Sequence, residues 1–125
     1  MMKKTCISSR YIVPIVALMA VSGCRNEMQR AWSEDVLRRH DFSERYEQIS
    51  QPDSTKIVDK SYLQEIDQLA DLTEKCLFLM RDSIESDSPV DFNHQRFRFL
   101  ESMAKLEVAF SLGLRNKASD EGDTP

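Results

Sequence analysis

Between residues 55 and 86, apolar positions recur every three or four residues, which is the spacing of one helical face. This line consists of Val58, Tyr62, Ile66, Leu69, Thr73, Cys76, Met80 and Ile84. Charged residues lie opposite the line, as in a helix with one face against a protein core. Residues 76–80 are apolar on all sides, so we expect more than one neighbour to cover this turn.

A further helix is predicted to begin after Ser88 and to end at Gly113. Ser88 can accept hydrogen bonds from a first turn that opens with Pro89, and Gly113 followed by Leu114 is typical of a left-handed C-cap. The apolar line of this helix is Phe92, Phe99, Met103, Leu106 and Phe110. The alternation in residues 95–99 also fits a strand, but a lone strand leaves its backbone groups without partners. The pattern therefore favours a helix.

The segment from residue 26 to about residue 50 has an interrupted pattern. Its apolar line contains Met28, Trp32, Phe42, Tyr46 and Ile49. Asp35 and Arg39 fall where this line should continue. Asp41 and Glu44 have the spacing of a capping box, which would begin a new helix. The segment is thus either one interrupted helix or two short ones, and Pro52 ends it.

These patterns predict an all-α fold, a small antiparallel three-helix bundle whose first segment is possibly split in two. The chain has 125 residues, 41% of them hydrophobic and 30% charged, which suits one folded domain. We place the helical domain at residues 28–114 and a disordered polar tail at residues 115–125.

The N-terminal residues have the layout of a signal peptide. Lys3, Lys4 and Arg10 precede an uncharged apolar run from Tyr11 to Val21. A permanent membrane span needs about 20 apolar residues, and this run is much shorter. We therefore expect residues 1–23 to be a cleaved leader.

The residues Val21-Ser22-Gly23-Cys24 resemble a bacterial lipobox. Membership of the lipoprotein class implies cleavage before Cys24, a diacylglycerol thioether on its sulfur and an acyl chain such as palmitate on its freed amine. Two or three acyl chains anchor a protein stably, since each buried methylene contributes about 0.8 kcal/mol. Residues 24–27 would then form the lipidated anchor and a short tether. Arg25 resembles the group sorted to the periplasmic face of the outer membrane, whereas Asp at that place commonly implies inner-membrane retention.

Removal of the leader makes the chain more acidic. Of 17 Lys and Arg residues three lie in the leader, so the mature chain has 14 basic and 21 acidic side chains and a net charge of −7. Such a charge disfavours nucleic-acid binding and docking on anionic headgroups.

No group of residues with an enzyme's chemistry is apparent. His40 and His94 are the only histidines and lack the spacing of a zinc site. Cys76 lies on an apolar line among acidic residues, which favours a small core residue over a reactive thiolate. We expect no catalytic residue, no metal, no cofactor and no small-molecule substrate.

Two features have alternative interpretations as binding surfaces. Arg96, Phe97, Arg98 and Phe99 could form a basic, aromatic patch, but a helix would turn Phe99 inward and leave the arginines to solvent or acidic partners. The supply of aromatic residues could line a groove for a partner's amphipathic segment, although three helices need many apolar residues to cover one another.

The sequence therefore predicts a non-enzymatic accessory or assembly lipoprotein, pilotin-like in architecture, that binds another envelope protein such as a secretion or pilus component. A surface-exclusion, immunity or inhibitor lipoprotein is the alternative. A coiled-coil spacer would need one uninterrupted heptad run, which Pro52 and Pro89 break.

Overall fold

The structure is a computed structural model that describes the backbone of residues 14–117 and the side chains of residues 24–117. Three helices, α1 (Pro14–Ile49), α2 (Lys60–Glu85) and α3 (Pro89–Gly113), pack against one another. Two short strands, β1 (Lys56–Val58) and β2 (Leu114–Asn116), pair antiparallel with Ile57 opposite Arg115. The predicted all-α three-helix bundle is confirmed.

The bundle is built on the hairpin of α2 and α3, which share the most extensive interface. Its core contains Ile66, Cys76, Met80 and Ile84 from α2, and Phe92, Phe99, Met103, Leu106, Ala109 and Phe110 from α3. The predicted start of α3 is confirmed, since the Ser88 hydroxyl accepts from the Asp91 N–H and Pro89 opens the helix.

α1 is one continuous helix, so the alternative of two short helices is wrong. Asp41 and Glu44 are exposed in mid-helix and form no capping box. Among residues 24–49 of α1, the buried positions are Cys24, Met28, Asp35 and Phe42, and their spacing of four and then seven residues forms one seam toward the other helices. Asp35 thus lies within the buried seam instead of breaking it.

Residues 24–27, predicted to be a tether, are also helical, and Cys24 is only 4% exposed. The ordered domain therefore includes the residue that the lipobox marks. The side chains of the predicted leader, residues 1–23, lie outside the described residues, and cleavage before Cys24 stays a prediction.

The other end of the bundle differs from the prediction in two ways. α2 begins at Lys60, with Asp59 as its N-cap, because residues 56–58 form β1. The predicted disordered tail starts too early, since Arg115 and Asn116 belong to β2 and the Lys117 N–H donates to the Thr55 carbonyl at 2.8 Å. Residues 118–125 lie outside the described part of the chain.

The predicted left-handed C-cap at Gly113 is not formed. No described glycine has a positive φ, and the chain passes from Gly113 into the extended Leu114. Glycine permits close packing at this position instead: a Cβ on residue 113 would lie 3.0 Å from the Cβ of Tyr62. The Gly113 carbonyl also accepts from the Asp59 N–H at 2.7 Å, which ties the end of α3 to the start of α2.

Candidate docking groove and anchor residue

Cys24, the predicted lipidation residue, lies at the end of the bundle where α3 begins. It lines a cleft with Met28 from α1 and with Pro89 and Phe92 from α3. At 1.5 Å per residue, the remainder of α1 from Cys24 to Ile49 is about 37 Å long. The turn between α2 and α3 is thus at the Cys24 end, and the two-stranded sheet is at the far end.

The Cys24 sulfur is disulfide-bonded in this structure. A lipoprotein thioether would use the same sulfur, so the two forms of Cys24 exclude each other. None of the helices in the described part of the chain has the length and apolar character needed to span a bilayer.

A groove runs along the seam between α1 and α2, and we call it the α1–α2 groove. It consists of two adjoining clefts of about 430 and about 400 Å³, which share Arg39 and Ser43 in their walls. The cleft nearer Cys24 is lined by Trp32, Val36, Leu77 and Phe78, and the far cleft by Phe42, Tyr46, Ile66 and Ala70. The groove is therefore concave and mainly aromatic and aliphatic along its floor.

Trp32 and Phe78 shape the cleft nearer Cys24. The indole Nε1–H of Trp32 donates to the Leu77 carbonyl at 2.9 Å, which fixes the ring between α1 and α2. Phe78 follows Leu77 at the rim, and 58% of its surface is exposed. An exposed aromatic side chain beside an immobilised tryptophan has the composition of a protein-binding hot spot.

Arg39 separates the two clefts and is held in a fixed position. Its Nε donates to the Thr73 hydroxyl at 2.8 Å, and Thr73 in turn donates to the Ala70 carbonyl at 2.6 Å. The guanidinium also donates to the Ser43 hydroxyl and lies 3.3 Å from a Glu74 carboxylate oxygen. Arg39 thus satisfies its donors within the protein and presents little free charge to the groove.

The far cleft is closed at its base by aromatic contacts. Phe42 meets Phe110 of α3 edge to face, with ring centroids 5.3 Å apart, and Tyr46 lies 5.9 Å from the same ring. Burial, together with the nearby Asp67 carboxylate, raises the pKa of Tyr46, so this phenol stays neutral.

The charges along the groove rim differ between its ends. His40, Glu74 and Arg81 line the cleft nearer Cys24, whereas Glu47 and Asp67 line the far cleft. A segment bound along the groove would meet charges of both signs at the Cys24 end and an acidic rim at the other end.

The side chains that the sequence analysis considered for metal binding or catalysis lie apart from one another in the structure. His40 is exposed and its Nε2 lies 3.5 Å from Glu44 on the same helix, while His94 is exposed on α3. Cys76 is a free thiol buried in the core, and burial raises its pKa. In the described residues, no group of three or more His, Cys, Asp or Glu side chains is placed to hold a metal ion.

Phe99 is fully buried, and Arg96 is paired with acidic side chains. This arrangement agrees with the helical interpretation of residues 95–99. It argues against a basic, aromatic binding patch, because the charge of Arg96 is neutralised by its acidic partners. The α1–α2 groove was foreseen only as one use of surplus aromatic residues, since nothing local in the sequence says which of them lie at a rim. No protein-family model, no curated protein and no solved structure matches this chain.

Proposed function

We propose that this protein is a lipid-anchored, non-enzymatic accessory lipoprotein of the bacterial envelope, and that its α1–α2 groove binds an amphipathic helix of another envelope protein. The observation that carries the proposal is the groove itself, with Phe78 exposed at its rim beside the fixed Trp32. Grooves of this kind are a recurring mode of recognition for amphipathic helices.

The anchoring part of the proposal is supported by the lipobox Val21-Ser22-Gly23-Cys24. Acyl chains on Cys24, at one end of the bundle, would leave both sides of the helices accessible. The α1–α2 groove begins about two turns along α1 from Cys24, so a bound helix would lie close to the lipid surface.

The rim charges define the chemistry of the proposed partner. Its helix has an apolar face that covers Phe78 and the exposed part of Trp32. It has basic residues toward Glu47 and Asp67, and residues of both charge signs toward Arg81 and Glu74. Such complementarity selects a direction of binding more than it adds affinity.

A non-enzymatic role agrees with the state of the polar side chains in the groove. Arg39 is engaged by Thr73, Ser43 and Glu74, and the Tyr46 phenol is held neutral. Neither arrangement provides the paired acid and base, or the activated nucleophile, that catalysis uses.

The groove is tested by chemical crosslinking in intact cells, with full-length tagged protein and quantitative mass spectrometry of the attached proteins. Phe78→Glu should reduce the crosslinked partner at least tenfold, because a carboxylate at the rim opposes burial of an apolar helix face. Leu37→Glu is the matched control: Leu37 is 61% exposed, lies on α1 outside the groove, and should leave the partner unchanged.

Equal loss in both variants, or in neither, would contradict the proposed groove. The identity of the protein lost in Phe78→Glu separates the two kinds of function. A component of a secretion or pilus machine supports the assembly role, and a conjugation protein or toxin supports exclusion or immunity.

A further inference from the structure

The charged side chains in the cleft nearer Cys24 differ in whether they are already paired. Arg39 lies 3.3 Å from Glu74, and His40 lies 3.5 Å from a glutamate on its own helix. Arg81 is exposed at the rim of this cleft and belongs to no ion pair among the described residues. Its guanidinium therefore presents unused N–H donors and a positive charge to whatever lies in the cleft.

The far cleft offers unpaired charge of the opposite sign. Glu47 of α1 and Asp67 of α2 line it, and both are exposed. In the part of the chain that the structure describes, neither carboxylate forms an ion pair. Ionised carboxylates only accept hydrogen bonds. The α1–α2 groove thus has unpaired acceptors at its far end and unpaired donors at the Cys24 end.

The two ends of an α-helix have the complementary polar groups. The first N–H groups and the last C=O groups of a helix have no partner within it, and the helix dipole makes the N-terminus positive and the C-terminus negative. In one direction of binding, Glu47 and Asp67 would accept from the free N–H groups and Arg81 would donate to the free carbonyl groups. The reverse direction would place like charges and like hydrogen-bonding groups together at both ends of the groove.

The spacing of these charges defines a length. Asp67 and Arg81 are 14 positions apart on α2, which puts them about 40° apart around the helix and about 21 Å apart along it. A helix of about 14 residues has this length. Phe78 lies much closer to Arg81 than to Asp67, so it would contact the C-terminal half of such a helix.

We propose that the α1–α2 groove binds a helix of about 14 residues in one direction, with its N-terminus at Glu47 and Asp67 and its C-terminus at Arg81. The bound helix is then parallel to α2, and its C-terminus points to the Cys24 end of the bundle. Basic residues of the partner that face the two carboxylates belong to the first turn of this helix or precede it. The inference rests on the docking groove of the proposed function and adds the length and direction of the partner's helix.

The direction is tested by photocrosslinking in intact cells with the full-length protein. A photoreactive amino acid replaces Ser50 in the far cleft or His40 in the other cleft, and mass spectrometry locates the attached residue of the partner. The two positions are 10 residues apart, or about 15 Å of helix. Attachment from position 50 should therefore lie about ten residues earlier in the partner's sequence than attachment from position 40. The opposite order would overturn the proposal.

The role of the terminal charges is tested by reversing each of them. Arg81→Glu and Asp67→Lys should each lower the yield of both adducts at least about threefold, because each variant repels one end of the bound helix. Lys75→Glu and Glu65→Lys are the matched controls, since they make the same changes of charge on α2 outside the groove and should leave the yields unchanged. All four side chains are exposed, so none of these substitutions disturbs the core.

The outcomes separate this proposal from the groove on which it rests. Reversed attachment order, or equal yields in the charge variants and their controls, would overturn the fixed direction, while loss of the partner in Phe78→Glu would still support the groove. Absence of adducts from both positions, together with an unchanged partner in Phe78→Glu, would refute the groove and the direction together.

Discussion

Asp35 of α1 and Arg96 of α3 form a bidentate ion pair inside the bundle. The Arg96 Nε lies 2.8 Å from one carboxylate oxygen of Asp35, and its Nη2 lies 3.3 Å from the other. Asp35 is fully buried, while Arg38 approaches the same carboxylate from the surface at 3.3 Å. The polar residue that interrupts the apolar line of α1 is therefore the residue that joins α1 to α3.

Removal of the Asp35 carboxylate should strongly destabilise the bundle. Asp35→Ala leaves the partly exposed Arg96 guanidinium with only the more distant Glu34 carboxylate at 3.9 Å, and loss of the main partner of such a group costs about 1–3 kcal/mol. A fall of this size in the free energy of unfolding is measurable by urea denaturation followed by circular dichroism.

The control replaces both members of the pair. Asp35→Leu combined with Arg96→Leu leaves no unpaired charge, and apolar replacement of a buried pair is often neutral or stabilising. The double variant should thus recover most of the stability lost in Asp35→Ala. An Asp35→Ala variant within about 0.5 kcal/mol of wild type would mean that Asp35 is not held as described.

Gly113→Ala should destabilise the protein although alanine is the better helix former. The added Cβ would lie 3.0 Å from Tyr62 Cβ and 3.1 Å from Tyr62 Cγ, and Tyr62 is held by the bond between Asp59 and Gly113. Overpacking of this kind costs about 1–3 kcal/mol. Thermal unfolding of Gly113→Ala beside the exposed control Ser111→Ala measures it, and a gain in stability for Gly113→Ala would refute the close packing.

Cys76 should be unreactive in the native protein. It is fully buried and free, and burial raises the pKa of its thiol, so thiolate is scarce at neutral pH. A maleimide should modify Cys76 of the mature lipoprotein about a hundredfold or more slowly than in concentrated urea. Rapid labelling without urea would place Cys76 outside the core.

The same thiol should make the free energy of unfolding depend on pH in the alkaline range. Because folding raises the pKa of Cys76, the neutral thiol favours the folded state, fully so below the thiol's ordinary pKa. This contribution is lost as the pH rises through the raised value in the folded protein. Cys76→Ala should therefore flatten the fall of the free energy of unfolding between neutral and alkaline pH, in urea titrations at several pH values.

Cys24 should carry the lipid. Cys24→Ser should abolish incorporation of labelled palmitate and leave a larger precursor that retains residues 1–23, because the thioether precedes cleavage in lipoproteins. Cys76→Ala, which removes a buried thiol that takes no part in anchoring, should label like wild type. Unchanged labelling or processing in Cys24→Ser would refute the lipobox interpretation and leave the disulfide-bonded form of Cys24.

The sequence was sufficient for those features of the fold that depend on neighbouring residues. The line from Ile66 to Ile84 and the Ser88-Pro89 start determine α2 and α3 locally, so α3 was predicted at its observed bounds, and α2 at its observed end but five residues early at its start. The burial of Cys76 followed from the same line.

Features that depend on distant residues were not predictable in this way. Asp35 pairs with Arg96, which lies 61 positions further along the chain. Without that partner in view, the charge of Asp35 suggested a break in α1. Gly113 was assigned to a left-handed C-cap because the features that decide its conformation, its contact with Tyr62 and the pairing of β1 with β2, join residues between 51 and 60 positions apart. The α1–α2 groove likewise exists only once the crossing of two helices decides which aromatic side chains remain uncovered.

Site-specific photocrosslinking in intact cells tests the docking function most directly. A photoreactive amino acid replaces Phe78 at the groove rim in full-length protein, and Gln68 on the outer side of α2 serves as control. The account predicts one dominant adduct with an envelope protein from position 78, through an amphipathic helix of that protein, and none from position 68. Anchored protein that gives no adduct from position 78, or the same adducts from both positions, would contradict it.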